Sequence, residues 1–281
     1  MRHFLTSKAA LRLAPGTRAG TQCPMDTPHH RPDAVPCANC GTSRVGPWCH
    51  ACGQRAPEPL RFSRITRDVL EQITDLGAER GLFYTLRQLT VRPGEAIRAY
   101  VDGRRQPLVN PVKYAFFALT IVAVTVGVTG TDPGEALGMV ERSPVERQAL
   151  AISNALLAYL AFLSMLPIAA LQRWLFKGRM AFAENYAFQL FVTGHLALFD
   201  TLAIVIGLME SLLGMAVLVC AHLLYLLFAL GGFHQRRGMG LLWRGVAVQA
   251  GGFVALNGLA WVFANLLSWM GVLDALERLL I

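Results

Sequence analysis

Charge is what this sequence lacks. Only 16% of its 281 residues are Asp, Glu, Lys or Arg, 54% are hydrophobic, and mean hydropathy is +0.41. A soluble domain carries about 25% charged residues, so the scarcity excludes one and makes this an integral membrane protein. Catalytic signatures are missing as well. Neither HExxH nor GxSxG occurs, which removes the metalloprotease and serine-hydrolase readings those motifs carry. Residues 1–24 hold Arg2, Lys8, Arg12 and Arg18 but no acid and no signal-peptide apolar region. A basic, acid-free start leaves a transit peptide open. The simpler reading is disorder, or an over-long start with translation beginning at Met25 and no role for Cys23. Residues 1–35 are accordingly expected to be a disordered extension, with Pro and His marking a loose lead-in over 26–36.

Cysteine is sparse too, yet four of the six stand in two knuckles, Cys37-Ala-Asn-Cys40-Gly and Cys49-His-Ala-Cys52-Gly. Zn²⁺ takes four thiolates in a tetrahedron, and each CxxC turn brings two of them to one side of the ion. The glycines after Cys40 and Cys52 suit a tight positive-φ turn. A disulfide pair and a redox CxxC are the alternatives. The spacing favours one structural zinc on Cys37, Cys40, Cys49 and Cys52, in a zinc ribbon over residues 36–56.

Five segments are long and apolar enough to cross ~30 Å of hydrocarbon, which takes about 20 residues. They are Val112–Gly130, Ala149–Leu171, Ala187–Met209, Ser211–Phe233 and Val246–Val272. The third and fourth are separated by Glu210 alone and must form a tight hairpin. The expected architecture is therefore mainly α: a polytopic helical bundle of about five spans over 112–281, behind short interfacial helices and the ribbon.

Charge placement orients it. Residues 1–113 hold 17 Lys/Arg against 9 Asp/Glu, and residues 114–281 hold 9 of each. Arg104, Arg105 and Lys113 precede the first span; Arg173, Lys177 and Arg179 follow the second; Arg236, Arg237 and Arg244 lie between the fourth and fifth. The loop 131–148 is acidic on balance. Basic ends on one side place the N-terminus in the cytoplasm and the C-terminus outside, in a bacterial cytoplasmic (inner) membrane. A cytoplasmic ribbon keeps its thiols reduced, as metal ligation requires. Cys220, within the fourth span, is expected to be a small buried apolar residue.

Between ribbon and membrane, residues 57–111 carry helical periodicity. Phe62, Ile65, Val69, Ile73 and Leu76 form one apolar stripe; Leu82, Phe83, Leu86 and Leu89 form a second; Pro93 starts a third helix through Ile97 and Val101. These helices are too short to span. They are expected to lie along the cytoplasmic interface or under the bundle, with a soluble three-helix domain as the alternative.

The two CxxCG knuckles, the second followed by Gln54, precede Thr85-Leu86-x-x-Leu89-x-x-Arg92-Pro93-Gly94-x-x-Ile97-x-x-Tyr100-x-x-Gly103-Arg104-Arg105 and Pro111. This order resembles a bacterial family of zinc-ribbon membrane proteins known as domain of unknown function 3667. The resemblance covers about Cys37 to Tyr114. It implies an architecture and supplies no reaction, so Arg92, Tyr100, Gly103, Arg104 and Arg105 gain interest without roles. Arg104 and Arg105 stand at headgroup depth as candidate lipid-phosphate contacts, or as a charge pair that sets topology.

Deep in the spans, the ionisable residues are His195, Asp200 and His222. Such groups are costly in a membrane and often mark function, although polar side chains also tie helices together. His195 and Asp200 are five residues apart, about 140° round a helix, and so do not share a face. Asp200 precedes Glu210 by ten residues and His222 follows it by twelve, which sets both near the bilayer centre, roughly 15–18 Å from the hairpin. They are expected to pair across it, with Asn154, Asn257 or Gln249 as the alternative partners of Asp200.

The leading functional expectation is a non-enzymatic docking or accessory subunit that meets a protein partner, or a second copy, through the ribbon. A transporter or channel component is the alternative, and a lipid-headgroup-acting membrane enzyme is the second. Anionic headgroups are the expected partner of the basic segment. Nucleic acid is not, because the ribbon lacks interleaved aromatics and offers only Arg44 and Arg55 as cations.

Overall fold

The computed structural model describes residues 35–56, 79–106, 108–131, 144–177 and 180–269; the extension 1–34 and the expected helix over 62–76 lie outside the described residues. Among the described residues, seven α-helices follow the cysteine knuckles: α1 (Glu79–Val91), α2 (Pro93–Val101), α3 (Pro111–Thr129), α4 (Pro144–Leu175), α5 (Phe182–Val205), α6 (Leu212–His234) and α7 (Met239–Trp269). Four are long and apolar enough to cross a membrane: α3, α5, α6 and Met239–Phe263 of α7. The helix α4 runs for 32 residues and carries a shorter apolar stretch, Leu160–Leu175.

Each long helix starts and stops for a local reason. In α3, Pro111 sits in the first turn, where its missing N–H costs nothing, and the Asn110 side chain accepts from the Val112 N–H at 2.9 Å. Gly130 ends it in the left-handed region. The Glu184 carboxylate accepts the Ala181 N–H at 2.7 Å at the start of α5. A 3₁₀ turn, Leu208–Glu210, then reverses the chain, and the Ser211 hydroxyl accepts the Gly214 N–H to open α6. The expected tight hairpin between the third and fourth apolar segments is this turn.

The spans pack through small residues, as helices in lipid must when no hydrophobic force brings them together. The most extensive pairing is α3 on α5, where Ala115 and Ala118 are fully buried and Gly194 comes so close that a Cβ there would meet Ala115 Cα at 2.9 Å. A second cluster joins Leu89, Ile97 and Tyr100 to Phe188, Phe191, Tyr225 and Phe233. Thus α1 and α2 are not a separate soluble domain. They pack on the halves of α5 and α6 that lie toward the basic ends. At Gly94 the approach is closest: a side chain would collide with the Ala229 carbonyl and the Phe233 backbone. The Arg-Pro-Gly step is therefore a helix start (Pro93) followed by a bare patch of backbone (Gly94) on which α6 rests.

Arginines finish the same end of the bundle. Arg98 donates from Nη1 to the Phe233 carbonyl at 3.2 Å, and Arg244 donates from Nε to the Leu175 carbonyl at 2.9 Å. Both cations sit on helix C-termini, where unpaired carbonyls and the helix dipole favour positive charge. Cys220 corrects one expectation: it is exposed on the outer surface of α6. In a bilayer the outward face of a span is as apolar as the inward face, so hydropathy does not separate them.

Candidate functional site

The two knuckles are built alike, twelve residues apart. Gly41 donates to the Cys37 carbonyl and Gly53 to the Cys49 carbonyl, both at 2.8 Å; Cys37 donates to Thr42 and Cys49 to Gln54. Gly41 and Gly53 have φ of +76° and +70°, the left-handed conformation that closes each turn. The four sulfurs all lie within 4.8 Å of one another, with Cys37 and Cys52 at 3.7 Å and Cys40 and Cys49 at 3.5 Å. A tetrahedral ion with ~2.3 Å metal–sulfur bonds sets its sulfurs about 3.8 Å apart. The residues fit, and the cluster can hold a metal ion.

Electrostatics argue the same way. The Thr42 hydroxyl and N–H lower Cys40 to about 6, and the Cys40 and Asn39 N–H groups lower Cys37. Cys52 is pushed up to about 11: the Gln54 N–H favours its thiolate, but burial and the neighbouring sulfurs of Cys40 and Cys37 outweigh that. Adjacent thiolates cannot all ionise unaided. A cation among them removes the conflict.

Among the described residues, the Gln54 side chain ties the cysteine knuckles to the helical bundle. Gln54, only 4% exposed, donates from Nε2 to the Gly103 carbonyl at 2.7 Å and accepts from the Arg105 N–H at 3.0 Å and the Gln106 N–H at 3.3 Å. These groups belong to the turn that leads into α3. The residue after the second CxxCG thus reads the Gly-Arg-Arg turn by its backbone. The Arg105 guanidinium lies 5.7 Å from the Tyr100 ring, and Arg104 is exposed. Thr85 ties the same region from the other side, accepting the Val109 N–H at 2.9 Å while donating to the Gly81 carbonyl.

Inside the bundle the three expected residues divide. His195 is 1% exposed and fully engaged. The Tyr114 hydroxyl lies 2.7 Å from Nδ1 and the Thr90 hydroxyl 3.2 Å from Nε2, and the ring stacks on Tyr225. Thr90 already donates to the Leu86 carbonyl, so Nε2 carries the proton and Nδ1 accepts from Tyr114. This histidine ties α1 and α3 to α5. Asp200 and His222 meet elsewhere, with His222 Nε2 3.1 Å from Asp200 Oδ1. The contact does not meet hydrogen-bond geometry at that nitrogen, so the two groups approach without an aligned hydrogen bond.

That pair faces a cavity of about 440 Å³ between the spans. Its polar lining is Ser164, Gln189, Thr193, Asp200, His222 and Gln249; most of the remainder is aliphatic, with Phe253. Gln189 belongs to a chain that composition does not reveal: it donates to Gln172 Oε1 at 2.6 Å, and Gln172 Nε2 lies 3.0 Å from His234 Nε2. All three are buried. The chain runs from the cavity toward the basic end of α6.

Replacing Gln54 with Leu should leave the Gly103 carbonyl and the Arg105 N–H without partners, a loss of about 1–3 kcal/mol. Hydrogen exchange at the Arg105 amide is expected to speed up about tenfold or more. An unchanged rate would show that the turn does not depend on Gln54.

No curated protein and no solved structure matches the chain. Residues 79–122, which hold α1, α2 and the first part of α3, match the family described as "Protein of unknown function (DUF3667)". Over that stretch of motif helices, the chain is similar to the DUF3667 family.

Proposed function

We propose that this is a non-enzymatic integral membrane protein of the transporter or channel-component kind, whose bundle offers a hydrated polar site at mid-depth. The observation that carries this is the Asp200–His222 pair on the wall of a cavity of about 440 Å³. An intramembrane carboxylate is expensive unless water or a ligand reaches it, and cavities of 300–1,000 Å³ are the size of small-molecule sites. The Gln54 contacts give the ribbon a matching part. With one structural Zn²⁺ on Cys37, Cys40, Cys49 and Cys52, it stiffens the turn that enters α3. The basic ends face the cytoplasm, where Arg104 meets anionic headgroups.

A docking role for the ribbon is a second reading with its own observation. Trp48 is 58% exposed, with the Arg55 guanidinium 5.8 Å from its ring, and Val35 and Val45 are also exposed. An apolar and cationic surface of this kind suits a protein partner or a second copy.

Two measurements test these readings. Purified protein is expected to hold one Zn²⁺ per chain, and a Cys37→Ser, Cys52→Ser double variant to hold none; undiminished zinc in that variant would contradict the ligand assignment. For the cavity, Thr193→Cys in a Cys220→Ser background is expected to react with a water-soluble cationic methanethiosulfonate, read by peptide mass spectrometry. Val217→Cys, on the outer surface of α6, serves as the dry control. If position 193 is as unreactive as position 217, the cavity is not hydrated and the transport reading fails.

A further inference from the structure

We propose that the cavity binds an amphiphilic organic cation, an ammonium or phosphonium centre bearing apolar groups, with the Asp200 carboxylate as its counter-ion. This rests on the hydrated-cavity reading above and names the chemistry the cavity selects.

Three features converge on this class. The first is charge. Asp200 and His222 are the ionisable residues of the lining, and no Lys or Arg is among the residues that form it. A solute entering this space meets a carboxylate that uses one oxygen, Oδ1, toward His222. In a low-dielectric cavity a cation gains from that group and an anion is repelled.

The second is the direction of the glutamine chain. Gln189 commits its amide N–H to Gln172 Oε1, and Gln172 commits its own toward His234 Nε2. One N–H of each amide points toward the end of α6, and Gln189 keeps its carbonyl oxygen as an acceptor beside its second N–H. Ser164 likewise spends its proton on the Ala161 carbonyl at 2.8 Å. The polar wall therefore includes acceptors close to Asp200, and these can face a positive centre.

The third is the shape of the rest. Leu119, Val122, Leu226 and Phe253 supply apolar wall. A bare Mg²⁺ or Ca²⁺ requires six or more oxygen ligands at 2.0–2.6 Å, and one carboxylate with scattered amides in so wide a space does not provide them. A cation that carries its own apolar surface satisfies both the carboxylate and the aliphatic wall.

The test uses full-length protein in phosphatidylcholine nanodiscs, with the Thr193→Cys, Cys220→Ser background and triphenylmethylphosphonium as the probe. Its neutral counterpart, triphenylphosphine oxide, has nearly the same apolar body. The phosphonium is expected to slow modification of position 193, and the oxide to leave it unchanged. Adding Asp200→Asn is expected to raise the concentration for half-protection at least tenfold, about 1.4 kcal/mol. Adding His222→Gln, which keeps the carboxylate, is expected to preserve protection. If position 193 reacts but the phosphonium does not protect it, the cation site is wrong while the hydrated cavity stands. Equal protection by the oxide, or undiminished protection in Asp200→Asn, overturns it in the same way, and the oxide arm needs no Asp200 variant to fold. If position 193 does not react at all, the parent reading falls and this inference falls with it.

Discussion

A polar group inside a lipid-embedded bundle has no water to turn to, so it must find its partner in the protein. Most of this structure's interior follows from that demand. His195 is held at both ring nitrogens by residues from two other helices. Tyr225 sends its hydroxyl to the Leu89 carbonyl at 3.1 Å, and Gln189, Gln172 and His234 form a buried chain. Each of these ties joins helices that small residues already bring close. Asp200 and His222 meet the demand loosely, by one misaligned contact beside open space. A bundle that satisfies the buried His195 so completely has a reason for leaving this pair accessible.

The family-matched segment makes sense as a joint between the cysteine knuckles and the helical bundle. On one side it receives Gln54 from the ribbon; on the other, Gly94 lies bare against α6 and Leu89, Ile97 and Tyr100 fill the core between α5 and α6. Thr85 holds the lead into α3. These residues bind by shape and backbone contact, and none of these contacts has the geometry of a reaction centre. A metal ion held by the four cysteines would therefore act first on the turn before α3.

Much of this was legible in the sequence, for identifiable reasons. CxxCG repeated at a fixed spacing has one geometric solution, so the sulfur cluster could be foreseen from residues 37–52. Hydropathy marks apolar helices directly, and a hairpin at Glu210 sets Asp200 and His222 at one depth before any coordinates exist. Contacts between distant residues were not legible. Thr90 meets His195 across 105 positions and Gln54 meets Arg105 across 51, and neither leaves a local pattern. The glutamine chain was missed because attention to charge passes over neutral amides, although buried Gln at positions 172 and 189 is itself a signal. The exposure of Cys220 was misjudged because lipid makes outward and inward faces of a span look the same.

Asp200 and His222 act on each other across the α5–α6 hairpin. A double-mutant cycle on unfolding in mixed micelles, using Asp200→Asn, His222→Gln and the double variant, measures that coupling directly. Polar pairs in membrane proteins couple by about 0.6 kcal/mol on average and up to about 1.7. The structure predicts a favourable coupling of about 0.5 kcal/mol or more. Additive effects of the two substitutions would mean that the residues do not interact, and would contradict this description of the bundle's interior.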